Sequence, residues 1–142
     1  MSPRGRTGRR SARRAALLAL YQADLTGADA SDLLRNAATE EESEPDAYSV
    51  ELVSGATAAL PELDALIGEA AEDWSVERLA ALDRAILRLA AFEVLHREDV
   101  PVGVAIDEAV EAAKELSTDA SGRFVNGVLG RIARNAEGTK DA

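Results

Sequence analysis

Apolar residues recur every three or four positions through most of this chain, the spacing of helices that each bury one face. The longest stretch of this kind is WSVERLAALDRAILRLAAFEVLHR, Trp74 to Arg97. At ~100° per residue, Leu79, Leu82, Ile86, Leu89 and Glu93 share one stripe, and Val76, Asp83, Leu87, Ala90 and Val94 an adjoining one. The two stripes cover roughly 160°, wider than the ~100° of a helix lying on a surface. The spacing therefore predicts one long central helix with neighbours on two sides. Ser75 is its expected N-cap, and Pro101 blocks continuation beyond its end. Glu77, Arg84 and Arg88 occupy the remaining arc, expected to face water.

Shorter stripes place the other elements. Leu17, Leu20, Tyr21 and Leu25 predict a buried face for a helix that takes over near Ser11 and stops at Gly27. Projected backwards, that stripe turns from apolar to cationic at Arg10, Arg13 and Arg14. A short helix is expected around Asp32 to Ala38, anchored by Leu33 and Leu34, and the acidic run Thr39 to Asp46 reads as a solvated loop. Tyr48, Leu52, Ala56 and Leu60 mark a third helix, ended by Pro61, which can itself open the next. That next helix carries Leu63, Leu66, Ile67 and Ala70 towards Trp74, expected as an apolar plug in the core.

Beyond Pro101, Ala105, Ala109, Ala112 and Leu116 form one stripe and Val102, Ile106, Val110 and Ala113 another, which predicts a second deeply buried helix over 102–116. STDASG reads as a loop into a final helix from about Arg123 to Ala136, with Val125, Val128, Leu129 and Ile132 inward. No segment alternates like a strand, and no repeat is visible. The expected architecture is all-α, a compact bundle of about seven helices. Its expected divisions are a flexible basic arm over 1–10, one all-helical domain over 11–136 and a disordered tail over 137–142.

Composition sharpens this picture mainly through charge. The net charge of −10 hides a split: residues 1–14 carry six arginines and no acid, so the remaining 128 residues carry −16. A basic arm on an acidic body points to an anion as one partner and a basic protein as another. The plainer alternative is a disordered tail on a body whose acidity keeps it soluble. The absence of cysteine excludes a disulfide framework and thiolate zinc sites. No apolar run is long enough to span a membrane, and the arginine-rich start lacks a signal peptide's apolar segment, so a cytoplasmic location is expected.

No catalytic, cofactor or metal constellation emerges. His96, the single histidine, sits at a helix end near acids, where a solvated or capping role is expected. Glu93 lies inside an apolar stripe and requires an arginine or hydroxyl partner if it is buried. On the final helix Arg123, Arg131 and Arg134 share a face, with Phe124 at its border with the core. An aromatic at the rim of a cationic face can stack a base while the arginines hold phosphates, although the same periodicity also suits a core phenylalanine.

These segments resemble the NusB family of transcription antitermination factors. The resemblance rests on LALYQADLTG, on LVSGATAALPELDALI, and on WSVERLAALDRAILRLAAFEVL followed by DVPVGVAIDEAVEAAKELST and GRFVNGVLGRIAR. It covers nearly the whole length and is weakest between Ala28 and Tyr48. It implies two packed helical subdomains, no enzymatic activity and no cofactor. It also implies binding of single-stranded boxA leader RNA together with the small-subunit ribosomal protein that serves as NusE. The pair would act in the elongation complex with RNA polymerase and other Nus factors, supporting ribosomal RNA synthesis. The RNA-binding residues implied are Arg9, Arg10, Arg13, Tyr21, Asp83, Arg123 and Phe124. Ala120 departs from the acidic residue of some relatives and bears on affinity. Relatives include monomers and dimers, so a homodimer stays open.

Sequence grounds count against two rivals. An RNA methyltransferase with a NusB-like domain would need a catalytic domain after GRIAR, for which the chain leaves little length. A NusB-like protein-interaction module without sequence-specific RNA binding would leave the arginine arm unexplained.

Overall fold

The computed structural model describes residues 6–141 apart from Asp73, and side chains within 9–138. The seven α-helices found there bear out the all-α expectation. The chain divides into two compact units, Met1–Ala58 and Ala59–Ala142.

The first unit holds α1 (Arg6–Thr26), α2 (Ala30–Glu40) and α3 (Ala47–Ala58), with α1 packed against both others. Its buried face is built from Ala12, Ala16, Leu17 and Ala19, and such small side chains let neighbouring helices come close. Facing it are Leu34 of α2 and Tyr48, Leu52, Val53 and Ala56 of α3. The Ser49 hydroxyl, buried in this core, donates to the Ala12 carbonyl at 2.8 Å. Gly27 ends α1 as expected: at φ +78° its N–H reaches the Ala23 carbonyl at 2.8 Å, a turn that would strain other residues. Asp29 caps α2 by accepting from the Asp32 N–H at 2.9 Å.

Three expectations for this unit change. Leu25 is 58% exposed, because it falls on the outer side of α1 with Leu18, opposite the buried Ala16. The basic arm expected over 1–10 is helical from Arg6, while residues 1–5 lie outside the described residues. The second helix gains two residues at each end over its expected span and so takes Thr39 and Glu40 from the acidic loop.

The second unit holds α4 (Leu60–Ala70), a 3-10 turn (Val76–Arg78), α5 (Ala81–His96), α6 (Val102–Leu116) and α7 (Asp119–Asp141). Pro61 stands in the first turn of α4, where its missing N–H costs nothing. Packed against α4, α6 and α7, α5 shares the centre with α7, which packs against the same helices, and buries Ile86, Leu87, Leu89 and Ala90. Glu93 is 1% exposed and has an interaction partner, as its place in the apolar stripe demanded. The middle of α6 presents Ala105, Ala109, Ala112 and Ala113, and α7 turns Val125, Val128, Leu129 and Ile132 inward. Where these two helices meet, a Cβ on Gly122 would stand 2.8 Å from Lys114 Cγ, so only glycine fits without moving that side chain.

The single helix expected from Trp74 to Arg97 is interrupted. After the 3-10 turn, Leu79 and Ala80 are extended, and α5 begins only at Ala81. Arg84 stabilises this break: its Nη1 donates to the carbonyls of Leu79 at 2.9 Å and Val76 at 3.2 Å. Carbonyls that a continuous helix would satisfy internally are thus satisfied by a guanidinium. Ser75 makes no side-chain cap. Trp74 is 52% exposed and is no core plug. Arg88, expected to face water, instead places Nε and Nη2 each 2.8 Å from the Asp64 carboxylate and ties α5 to α4.

The remaining corrections concern helix ends. Val102 and Leu116 are exposed, so α6 is deeply buried only along its middle. Most of STDASG is helical: Thr118 Oγ1 accepts from the Ser121 N–H at 2.9 Å and α7 starts at Asp119. The tail expected over 137–142 is helical through Asp141, with Ala142 outside the described residues. His96 Nε2 lies 2.6 Å from Glu62 Oε1, a local tie between α5 and α4. Among the described residues no helix is long and apolar enough to cross a membrane.

Candidate nucleic-acid interface

The arginines of α1 do not form a uniform row. Arg10 is exposed and Arg9 half-buried, whereas Arg13 is 6% exposed. The guanidinium of Arg9 stands 4.3 Å from the centroid of the Tyr48 ring and that of Arg13 5.8 Å from it. Tyr48, contributed by α3, therefore acts as a cation–π shelf for the start of α1. Its periodicity marked it only as a core residue, because the contact joins segments far apart in sequence. Tyr21 is half-buried, and its rise along α1 puts it roughly 16 Å from Arg10, on the same side of the helix. Arg10 and Tyr21 thus share a side of the helix about three turns apart.

In the second unit, Asp83, Arg123 and Phe124 are brought near one corner, where α5 begins and α6 hands over to α7. Asp83 Oδ2 accepts from the Ser121 hydroxyl at 3.4 Å, and Ser121 also lies 3.0 Å from Ser117 Oγ and 3.2 Å from Thr118 Oγ1. Asp83 Oδ1 is buried with no hydrogen-bond partner. Two residues beyond this hydroxyl cluster, Arg123 is exposed, and Phe124 beside it is half-buried next to the core residue Val125. That intermediate burial matches the border position expected for Phe124. A half-buried ring keeps one edge in the core and leaves the rest able to stack.

The cationic face of α7 is partly committed elsewhere. Arg131 Nη1 donates to the Ala70 carbonyl at 3.0 Å and lies 3.1 Å from Glu72 Oε1, so it fastens α7 to the end of α4. Arg123 and Arg134 remain exposed on that face. Among the described residues, no group of three or more acidic, histidine or cysteine side chains could hold a metal ion.

The NusB family model matches residues 10–134. The chain belongs to the NusB family. A transcription antitermination protein NusB from Saccharopolyspora erythraea is 53% identical over 127 residues, which is 88% of this chain and 86% of that protein. Among solved structures, T. maritima NusB is 39% identical with a TM-score of 0.81 over 89% of this chain and 90% of that one. A chain from the crystal structure of antitermination factors NusB and NusE in complex with dsRNA has a TM-score of 0.83. It is 29% identical, with coverage of 92% of this chain and 99% of that one. This kinship is to transcription antitermination factors and not to enzymes.

Proposed function

We propose that this chain is a transcription antitermination factor that binds RNA together with a ribosomal protein serving as NusE. The finer reading is that the RNA is a boxA-type leader segment, taken as a single strand, and that the assembly acts on elongating RNA polymerase with other Nus factors. The observation that carries this is the family match over 10–134, supported by the likeness to a NusB chain solved with NusE and RNA.

The geometry favours a division of labour among the candidate residues. Arg9 and Arg10 at the start of α1 supply charge to phosphates. Arg13, buried beside Tyr48, supports them from below. Arg123 and Phe124 on α7 pair a cation with a ring that can stack a base. Asp83, held by the Ser121 hydroxyl beside Arg123 and Phe124, repels phosphate there, which suits discrimination better than affinity. Tyr21 offers a second ring on the side of α1 that carries Arg10.

An electrophoretic shift tests the proposal, using boxA RNA, a scrambled strand and a boxA duplex, each with and without the ribosomal protein. Selective retention of the boxA strand, strengthened by the ribosomal protein, is the expected result. Equal retention of boxA and scrambled RNA would leave the protein-interaction module as the better reading.

A further inference from the structure

A groove in the first unit, beside the arginine-bearing start of α1, is rimmed by acids and suits a partner of opposite charge. It encloses about 300 Å³ between α1 and α2, closed at one end by the loop into α3. One wall is the outer side of α1, where Ala15, Leu18 and Gln22 line the groove and Leu25 continues the row. Their spacing of three and four residues is that of the seam a helix offers to another helix, and Leu18 is 51% exposed within it. The other wall is Leu33 and Ala37 of α2. Small side chains on both walls allow a helix backbone to approach closely.

The charged groups among the described lining residues are all acidic. Glu41, Glu44 and Asp46 line the mouth, and no lysine or arginine appears among the described lining residues. The loop that carries them is held in place. The Ser43 N–H donates to the Ala38 carbonyl at 2.8 Å, Asp46 Oδ1 accepts from the Tyr48 N–H at 2.8 Å, and Glu42 is kept at φ 54°. An apolar trough with a fixed anionic rim selects for an amphipathic helix with cationic flanks. A second copy of this chain, with its net charge of −10, would bring acid to acid.

We propose that the α1–α2 groove docks a lysine- or arginine-flanked amphipathic helix of a partner protein, its aliphatic anchors resting on Leu18 and Leu33 and its cations on the exposed Glu41 and Glu44. The proposal rests on the reading that this antitermination factor works with a basic protein partner, and it names the surface and the form of the contact.

The test uses the full chain and a synthetic helical peptide with leucines at the spacing of α1's outer row and lysines flanking them. Two control peptides replace the leucines by serine or the lysines by glutamate. Binding is read by amide chemical shifts. The expected result is a set of shifts centred on Ala15, Leu18, Leu33 and Ala37 that weakens with salt and is absent with both controls. Leu18→Lys changes an exposed position and should reduce peptide affinity about tenfold, the loss typical of a central apolar anchor. Glu44→Lys, outside the core, should reduce it in the same direction and guards against a folding defect in the first variant. Shifts centred elsewhere, equal binding of the glutamate peptide, or affinity unchanged in both variants would overturn the proposal. Self-association of the chain that Leu18→Lys abolishes would overturn it too, in favour of a second copy. Retention of boxA RNA by the parent and both variants is measured alongside. Its loss in the parent counts against the antitermination reading, whereas its persistence with no peptide binding counts against the groove alone.

Discussion

Phe124 and Arg13 illustrate how far a residue's neighbours decide its role. Periodicity put Phe124 at the edge of the apolar stripe, and its half-buried state agrees. Phe124→Leu keeps most of the packing volume and removes the π face. It should weaken boxA binding by about 1 to 3 kcal/mol if the ring stacks a base, with thermal melting little changed. Parent-like affinity would make Phe124 a core residue only. Arg13 belonged, by spacing, to the same cationic row as Arg10, yet it is buried beside Tyr48 while Arg10 is exposed. Replacing Arg10 with alanine should flatten the plot of log affinity against log salt by about 0.7, one phosphate contact on a single strand, and leave stability unchanged. Arg13→Ala should instead lower the melting temperature. If Arg13→Ala changes only the salt slope and Arg10→Ala only the melting, the two roles are reversed.

At the scale of elements, the central position of α5 was legible because its apolar arc is too wide for a surface helix. Leu87 is fully buried there, and Leu87→Ala should cost about 2 to 5 kcal/mol in urea melts by opening a cavity. A loss under ~1 kcal/mol would show that the site collapses or that α5 is not the centre. The start of that helix was not legible. Nothing in Val-Glu-Arg-Leu-Ala breaks a helix, so the pattern ran on through Val76 to Ala80. The interruption is stabilised by Arg84 reaching back to the Leu79 and Val76 carbonyls. Arg84→Ala should therefore cost about 1 to 3 kcal/mol, the penalty of leaving such acceptors unmade. Amide exchange should quicken over Val76 to Ala80 while α5 stays protected. Unchanged exchange there would remove Arg84 as its stabiliser. Arg88 makes a similar point: a charged residue on an apparently polar arc ties α5 to Asp64 of α4, a partner 24 residues earlier.

The whole molecule adds a consequence of its charge. A chain of net charge −10 repels itself when compact, whereas its RNA contacts would depend on a few cations. Salt should therefore act with opposite signs on the two processes, raising the urea midpoint of folding while lowering RNA affinity. Melts and RNA titrations at low and high salt check this directly. A midpoint that falls with salt would mean that specific ion pairs outweigh the general repulsion.

From the sequence alone came the helical class, four of the seven helices within about three residues, the stop at Gly27, the central packing of α5, the burial of Glu93 and the family. These follow from local or periodic physics, in which each residue's side is set by 3.6-residue geometry and each end by a cap or a breaker. Only the tertiary structure decided that Arg13 and Tyr48 meet, that Arg84 and Arg88 are structural, that Trp74 is exposed and that an acid-rimmed groove opens between α1 and α2. Each depends on which segments lie side by side, and a long flexible cation or an aromatic ring is equally at home on either side of a helix until its neighbours are fixed.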